Sequence, residues 1–171
     1  MKNIVLIGMP GAGKSTIGVV MAKMLGYQFV DSDLLIQLQE GDILEHLIER
    51  YGTEGFIALE NRVNCGIRVS RSVIATGGSA CYGDEAMKKL AEDGVIVYIR
   101  TGYETLRQRL GDLHERGVVM RRGNSLLDLY RERTPLYEQY ADLIVDVDGL
   151  SLEQSIASMK AAVTGCRKLY E

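Results

Sequence analysis

The sequence predicts an α/β domain in which a parallel sheet is wrapped by helices on both faces. Short apolar segments typical of buried strands alternate with helical patterns through most of the chain. A glycine-rich segment at residues 8–16 also lies between the first apolar run and the first helical pattern. Because 171 residues suit one domain with a sizeable core, we expect a single domain over residues 1–171.

The elements of the first half follow from the spacing of their apolar residues. Continuous apolar runs predict buried strands, and apolar residues recurring three or four positions apart predict helices. Asp42 is placed to cap a helix that Gly52 ends. Strands are predicted at 2–7, 28–30 and 72–76, and helices at 14–25, 43–51 and 53–69, with another helical pattern after Asp33.

The second half continues the alternation of strands and helices. Pro135 lies inside one helical pattern, and its ring is expected to kink or interrupt that helix. A ragged tail is expected from about Gly165. Helices are predicted at 84–92, 101–110, 125–140 and from Ser151, and strands at 95–99 and 143–147. Ligands of such sheets bind beyond the carboxyl ends of the strands, so the residues that follow each strand are the candidate site.

Composition and charge exclude several classes of function. The net charge of -3 argues against a nucleic-acid groove, which normally shows a basic excess. No apolar run approaches the roughly 20 residues of a membrane span, and no secretory signal pattern is present, so we expect a cytoplasmic protein without a membrane partner. The three cysteines are odd in number and far apart, which is typical of thiols in a reducing compartment.

The segment at residues 8–16 matches the phosphate-binding pattern G-x-x-x-x-G-K-[ST] at every fixed position. Its glycines allow backbone N–H groups to wrap around phosphate oxygens, and the following helix points its N-terminus at the same anion. Lys14 is expected to reach the β- and γ-phosphates, and the Ser15 hydroxyl to ligate Mg²⁺. The predicted ATP-binding residues of this loop are Gly11, Ala12, Gly13, Lys14, Ser15 and Thr16.

Two aspartates follow the second predicted strand and flank Ser32. Alternate side chains of an extended backbone point the same way, so both carboxylates can face one site. One would hold Mg²⁺, directly or through water, and the other would orient a substrate hydroxyl and accept its proton. An alternative interpretation, which applies more to Asp31 than to Asp33, is that the carboxylate only caps the following helix.

Two later segments also carry candidate site residues. Gly77 and Gly78 follow the third predicted strand, where they indicate either close approach of the backbone to a ligand or a plain turn. The polar stretch at 111–124 is bounded by glycines and predicts a mobile cover over the site. Arginines in and around this cover either bind polyphosphate and a carboxylate or form a solvated surface; they are Arg109, Arg116, Arg121, Arg122, Arg131 and Arg133.

Together these motifs resemble the shikimate kinases, a family of small P-loop kinases. The resemblance covers residues 2–148, and the R-x-P-L-Y pattern at 133–137 is more diagnostic of the family than the phosphate loop. It implies ATP-dependent phosphorylation of a ring hydroxyl of shikimate, with Mg²⁺ as cofactor. It also implies a three-layer α/β/α fold, with a five-stranded parallel sheet in the order 2-3-1-4-5 and a lid.

The resemblance assigns roles to individual residues of this chain. Asp33 matches the acid that binds the accepting hydroxyl, and Asp31 the one that helps to hold Mg²⁺ through water. Arg133 matches the arginine that grips the substrate carboxylate. Arg116 matches the lid arginine at the transferring phosphate, and Arg109 the arginine that packs on adenine. The catalytic residues are therefore expected to be Lys14, Asp33 and Arg116, and the substrate-binding residues Asp33, Gly77, Gly78, Ser79 and Arg133.

The chain departs from the family pattern at three places on the acceptor side. Ile57 follows Phe56 where the family has a second carboxylate-clamping arginine, although Glu60 of the same element is retained. Ser79 replaces the third glycine of a triple glycine, and the lid sequence Arg-Pro-Leu-Leu becomes Arg-Gly-Val-Val at 116–119. Losing one charge-assisted contact would weaken substrate binding by about 1.5 to 3 kcal/mol.

The sequence therefore predicts a Mg²⁺- and ATP-dependent kinase whose first-choice acceptor is shikimate. Two alternatives remain open. One keeps the fold and chemistry but transfers to another small hydroxy acid or amino alcohol, such as a sugar acid or homoserine. The other is a nucleotide-binding protein without turnover, although the presence of Lys14, Asp31 and Asp33 argues against it because binding alone needs no base. No nucleic-acid or protein partner is implied.

Overall fold

A computed structural model describes residues 1–110, 118–121 and 123–171. Its sheet has five parallel strands in the order β2-β3-β1-β4-β5 within these residues. The α/β architecture predicted from the sequence and the strand order implied by the family resemblance are thus confirmed. The predicted mobile cover at 111–124 includes 111–117 and 122, which lie outside the described residues.

The observed elements differ from the predicted ones mainly by one or two residues at their ends. The strands are β1 Asn3–Ile7, β2 Gln28–Asp31, β3 Ser72–Ala75, β4 Gly94–Arg100 and β5 Leu143–Asp146. The helices are α1 Lys14–Leu25, α2 Ser32–Glu40, α3 Leu44–Cys65, α4 Asp84–Asp93, α5 Tyr103–Leu110, α6 Leu126–Tyr140 and α7 Leu152–Thr164. Short 3₁₀ turns follow β3 at Ala80–Tyr82 and close the chain at Arg167–Leu169.

The core lies on both sides of the central strands. Every residue of β1 and β3 is buried, which explains why both read as continuous apolar runs rather than as alternating ones. Ile4 of β1 pairs with Val73 of β3 and with Val95 of β4, so three apolar strands meet at one level of the sheet. A smaller apolar cluster joins α2 and α3 and includes Ile36, Phe56 and Val119.

In helix α3, the predicted N-cap was wrong, whereas the predicted boundary at Gly52 corresponds to a break in the helix. The predicted helices on either side of Gly52 form one element that is interrupted there, where Gly52 has a left-handed φ of 67°. Asp42 is not the N-cap, since Ile43 occupies that position and makes no side-chain capping bond. The Asp42 carboxylate instead accepts from the Ile43 N–H at 2.9 Å and pairs with Arg50 at 2.6 Å.

Two further expectations about the second half were wrong. Helix α6 runs without interruption through Pro135, and the Thr134 hydroxyl donates to the Tyr130 carbonyl just before it. The tail after α7 is not ragged, because Leu169 is buried and its carbonyl accepts from the Lys2 N–H at 3.0 Å. The polar composition of the tail predicted a loose end, but Lys2, the residue before β1, provides a backbone donor that fixes it.

The sheet places three candidate segments at one edge. The phosphate loop follows β1, the aspartates end β2 and begin α2, and the double glycine follows β3. Because β2, β3 and β1 are neighbours in a parallel sheet, their carboxyl ends bring these segments together. Among the described residues, no helix is long and apolar enough to span a bilayer.

Candidate active site

The phosphate loop has the backbone geometry that an anion cradle needs. Gly11 and Gly13 have φ values of 78° and 94°, in a region that residues with a Cβ rarely adopt. Gly13 is also the residue from which α1 begins, so the free N–H groups of the helix start at the loop. Ala12 is buried, and its N–H donates to the Met9 carbonyl at 3.1 Å.

Lys14 is held inside this loop by backbone carbonyls. Its Nζ donates to the carbonyls of Gly8 at 2.8 Å and Met9 at 2.9 Å. Burial lowers the pKa of Lys14 to about 8, although Asp33 nearby favours the charged form. A phosphate oxygen would supply the negative charge that the carbonyls only partly provide.

Ser15 and Asp31, the two predicted metal ligands, are in contact with each other. The Ser15 hydroxyl donates to Asp31 Oδ2 at 2.6 Å. The other oxygen, Oδ1, accepts from the Asp33 N–H at 3.0 Å and caps helix α2. The capping interpretation of Asp31 is therefore correct for one oxygen, while the second oxygen faces the phosphate loop.

Asp33 lies in the first turn of α2 and lines the same cavity as Lys14 and Ser15. Burial, followed by the neighbouring Asp31 carboxylate, raises the pKa of Asp33 to about 6, and Lys14 opposes this rise. A carboxyl group with this pKa is mostly ionised at neutral pH and is a stronger base than an exposed aspartate.

The double glycine after β3 is a close-packed wall of the cavity and not a plain turn. A Cβ at Gly77 would lie 2.7 Å from Asp33 Oδ1 and still closer to Glu60 Oε1. Gly78 packs on the ring of Pro10. Ser79 also lines the cavity, and its hydroxyl donates to Glu60 Oε2 at 2.5 Å, so this donor is already bonded within the protein.

Arg133 is a buried cation, with 1% of its surface exposed. Its Nη2 donates to the Val119 carbonyl at 2.5 Å and its Nε to the Tyr82 hydroxyl at 3.3 Å. Its guanidinium also lies 5.3 Å from the centre of the Tyr82 ring. No carboxylate lies within 4.0 Å of it among the described residues, so Arg133 lacks an anionic partner there.

These residues surround one cavity of about 310 Å³. The phosphate loop forms one part of its lining, and Asp33, the double glycine and Arg133 form another. Ile57 does not line it but lies beside a much smaller space, together with Tyr82, Arg121 and Arg133. The cavity therefore joins a phosphate-binding region to a region with one base and one buried cation.

The remaining predicted residues have mixed outcomes. Thr16 lines the cavity, and Arg109 Nη1 donates to the Gly11 carbonyl at 3.1 Å, so this arginine lies beside the phosphate loop. Arg116 lies outside the described residues. Its role at the transferring phosphate stays a prediction.

Sequence reasoning missed the residues that support the acceptor region. Tyr82 contacts Arg133 and donates to Glu132 at 2.7 Å, but nothing in the sequence pattern pointed to it. Tyr137 ends the R-x-P-L-Y pattern, but no role was predicted for it; its hydroxyl donates to the Gly78 carbonyl at 2.5 Å and holds the strand end in place. Glu60 was noticed only as part of a motif, and an acid on the apolar face of a helix was the available signal.

Comparison with known proteins identifies the family. A family model described as shikimate kinase matches residues 10–164 of the chain. The chain belongs to the shikimate kinase family. It is accordingly an ATP-dependent phosphotransferase that acts on a hydroxyl group.

Individual relatives agree with the family assignment. The shikimate kinase of Thermodesulfovibrio yellowstonii is 36% identical over 157 residues, which cover 90% of each chain. A structure of shikimate kinase from Acinetobacter baumannii in complex with shikimate is 29% identical, with a TM-score of 0.83 over 94% of this chain and 91% of that one. The shikimate kinase structure from Aquifex aeolicus is 28% identical, with a TM-score of 0.80 over 95% and 96%.

Proposed function

We propose that the protein transfers the γ-phosphoryl group of ATP to a ring hydroxyl of shikimate, with Mg²⁺ as cofactor. The observation that carries this proposal is the single cavity in which the phosphate loop, the base Asp33 and the buried cation Arg133 meet. A phosphate donor and a small acidic acceptor that react with each other need these two kinds of binding group side by side. The names of the relatives, and the shikimate in the Acinetobacter baumannii structure, support this acceptor.

The phosphate half of the site acts through charge and orientation. Backbone N–H groups of the loop and of the α1 N-terminus would bind the phosphate oxygens. Lys14 would exchange its bonds to the Gly8 and Met9 carbonyls for bonds to phosphate. Little covalent chemistry is required of the protein in phosphoryl transfer, so this positioning supplies much of the catalysis.

The adjacent oxygens of Ser15 and Asp31 fit a magnesium ion. Mg²⁺ prefers hard oxygen ligands and is usually held by one or two protein groups, several waters and substrate phosphates. The hydroxyl and carboxylate in contact at 2.6 Å provide such a pair. When bound, Mg²⁺ would neutralise charge on the phosphate oxygens.

Asp33 would act on the acceptor. Its carboxylate is ionised at neutral pH and faces the cavity, so it can accept a hydrogen bond from the acceptor hydroxyl and take its proton. The same hydrogen bond would align the oxygen for attack on the γ-phosphorus.

Arg133 would bind the acceptor's carboxylate. A buried guanidinium without a carboxylate partner in the described part of the chain is costly unless a ligand supplies the anion. Since Ile57 replaces the family's second arginine, Arg133 would bind this carboxylate without that partner. We therefore expect affinity for shikimate to be about one to two decades weaker than with two arginines.

A coupled ADP-release assay with ATP, Mg²⁺ and shikimate tests the proposal. We expect release that saturates with shikimate and that Asp33→Asn largely removes. The matched control is Asp93→Asn, at the end of α4, which should behave as wild type. No release at saturating shikimate would refute the acceptor, and full activity of Asp33→Asn on the true acceptor would refute the role of Asp33.

A second candidate function keeps the chemistry and changes the acceptor to a sugar acid, homoserine or a similar hydroxyl compound. The absence of an arginine at Ile57 and the Ser79 side chain beside the cavity favour it. Screening acceptors by ADP release distinguishes the two, since a strong preference for a non-cyclic compound would favour the second. Nucleotide binding with no turnover on any acceptor would instead support a binding protein.

A further inference from the structure

The carboxyl group of Glu60 is enclosed behind the acceptor wall of the cavity. Glu60 lies on α3, is 1% exposed, and does not itself line the cavity. Its Oε2 accepts from the Ser79 hydroxyl at 2.5 Å. Its Oε1 has no hydrogen-bond partner in the part of the chain that the structure describes.

No cation in the described part of the chain lies close enough to neutralise Glu60. The two nearby cations are Lys14 and Arg133, and neither is within 4.0 Å of its carboxyl oxygens. Lys14 donates to backbone carbonyls, and Arg133 donates to Val119 and Tyr82. A buried carboxylate without an adjacent cation is strongly disfavoured relative to the neutral acid.

The free oxygen of Glu60 faces the proposed base. Glu60 Oε1 and Asp33 Oδ1 flank the space that a side chain at Gly77 would fill. Two carboxyl groups that meet in one buried space do not readily carry two negative charges, because each ionised group disfavours ionisation of the other. One proton is therefore expected to remain on the pair.

We propose that Glu60 and Ser79 form a positioning pair for Asp33, in which Ser79 fixes the orientation of the Glu60 carboxyl group behind Gly77 and burial keeps that group neutral. This inference rests on the proposed function, since it concerns the same acceptor region. With Glu60 neutral, the acceptor region contains one carboxylate, Asp33, and one cation, Arg133, with Lys14 beside it in the phosphate loop, which suits an anionic acceptor. Ionisation of Glu60 would add a second negative charge behind Asp33 and weaken the binding of that acceptor.

The groups around Glu60 set the pH at which this happens. Burial, followed by the charge of Asp33, raises the pKa of Glu60 to about 7, while the Ser79 hydrogen bond, Arg133 and Lys14 oppose the rise. The nearby Cys81 thiol has a pKa raised to about 12, so it stays neutral over the same range. The KM for an anionic acceptor is thus expected to rise as the pH passes through about 7.

Glu60→Gln tests the charge directly, because the amide has the same shape and is neutral at every pH. In wild type, we expect the KM for shikimate to rise about tenfold from pH 6 to pH 9, from one added charge in a partly screened site. In Glu60→Gln this rise should disappear, and the KM for ATP should respond to pH as in wild type. If the KM for shikimate depended on pH in the same way in both proteins, the proposal would be overturned.

Ser79→Ala tests the second member of the pair. Removing a hydrogen bond that favours the ionised form should move the rise in shikimate KM to higher pH. The matched control is Ser155→Ala, another buried serine whose hydroxyl donates to the Ser151 carbonyl far from the site. The double variant Ser79→Ala/Glu60→Gln should show the same pH dependence of the KM for shikimate as Glu60→Gln alone. If the KM for shikimate rose at the same pH in folded Ser79→Ala as in wild type, the role proposed for Ser79 would be refuted.

A measurement without any acceptor separates this inference from the proposed function. Carbon-13 NMR of the glutamate side-chain carboxyl carbons can follow Glu60 in the ligand-free protein, with the resonance assigned by its loss in Glu60→Gln. We expect a titration midpoint at least two pH units above that of the exposed glutamates. A midpoint in the ordinary range of exposed glutamates would overturn the proposal even if shikimate is the acceptor. A raised midpoint would support the proposal even if shikimate proved not to be the substrate.

Discussion

Replacing Gly77 with alanine inserts one methyl group at the point where the two buried carboxyl groups meet. The new Cβ would lie 2.7 Å from Asp33 Oδ1 and closer still to Glu60 Oε1. Real Cβ atoms are not found at such distances from oxygen, so one or both carboxyl groups must move. Asp33 lines the cavity, and its movement would change the position of the acceptor hydroxyl.

The expected magnitude follows from the size of that displacement. Restoring an ordinary contact of about 3.4 Å from 2.7 Å requires a shift of about 0.7 Å at Asp33. A displacement of this size in a catalytic group costs about 10²-fold in rate. Overpacking at a buried position costs a further 1 to 3 kcal/mol or so of folding stability. The ATP half of the site should be little affected, because the phosphate loop follows a different strand.

Steady-state kinetics with each substrate varied in turn measure this prediction. We expect kcat/KM for the acceptor to fall about hundredfold in Gly77→Ala, with the KM for ATP within about twofold of wild type. Gly165→Ala is the control, since its Cβ would meet only ordinary contacts of 3.4 Å and beyond. Thermal melting establishes that both variants are folded at the assay temperature. A folded Gly77→Ala enzyme with acceptor kinetics within threefold of wild type would refute the placement of Asp33.

Three further predictions concern single charged groups. Lys14→Met should lower kcat by about hundredfold or more in the same assay, because the loop loses its cation at the phosphates, and near-normal turnover would contradict this. Arg133→Lys should raise acceptor KM about ten- to hundredfold without changing that for ATP, since an ammonium cannot reproduce the contacts of the guanidinium with Val119 and Tyr82. The third concerns Glu60, whose pKa is raised from 4.5 to about 7 in the folded protein. Protonated Glu60 therefore contributes to the free energy of unfolding of wild type. This contribution is complete below about pH 4.5 and is lost as the pH rises through about 7. Urea unfolding at pH 5 and 8 should show about 2 to 3 kcal/mol of this loss in wild type and none of it in Glu60→Gln, whereas equal losses would contradict the burial argument.

The sheet and the phosphate half of the site follow from local sequence features. A run such as Ile4 to Ile7 is apolar at every position, as a strand covered on both faces must be. The loop pattern fixes the positions of Lys14 and Ser15 relative to one helix, so short-range spacing is sufficient. Strand order was obtained from the family resemblance and confirmed by the pairing of β1 with β3 and β4.

The acceptor half could not be predicted in the same way, because its contacts join residues far apart in the chain. Ser79 was expected to project toward a substrate, but its hydroxyl is turned to Glu60, 19 residues earlier. Arg133 is held by the Val119 carbonyl and by Tyr82, which no sequence pattern connects with it. Spacing along one element cannot reveal such contacts, since they depend on how α3, α6 and the turn after β3 pack together.

A crystal structure with ADP, Mg²⁺ and shikimate would test the arrangement of the acceptor site itself. We expect the shikimate carboxylate to lie against the guanidinium of Arg133. One ring hydroxyl should lie within hydrogen-bond distance of Asp33 and face the nucleotide phosphates. A shikimate bound in the cavity with its carboxylate away from Arg133, or with no hydroxyl near Asp33, would contradict the proposed mechanism.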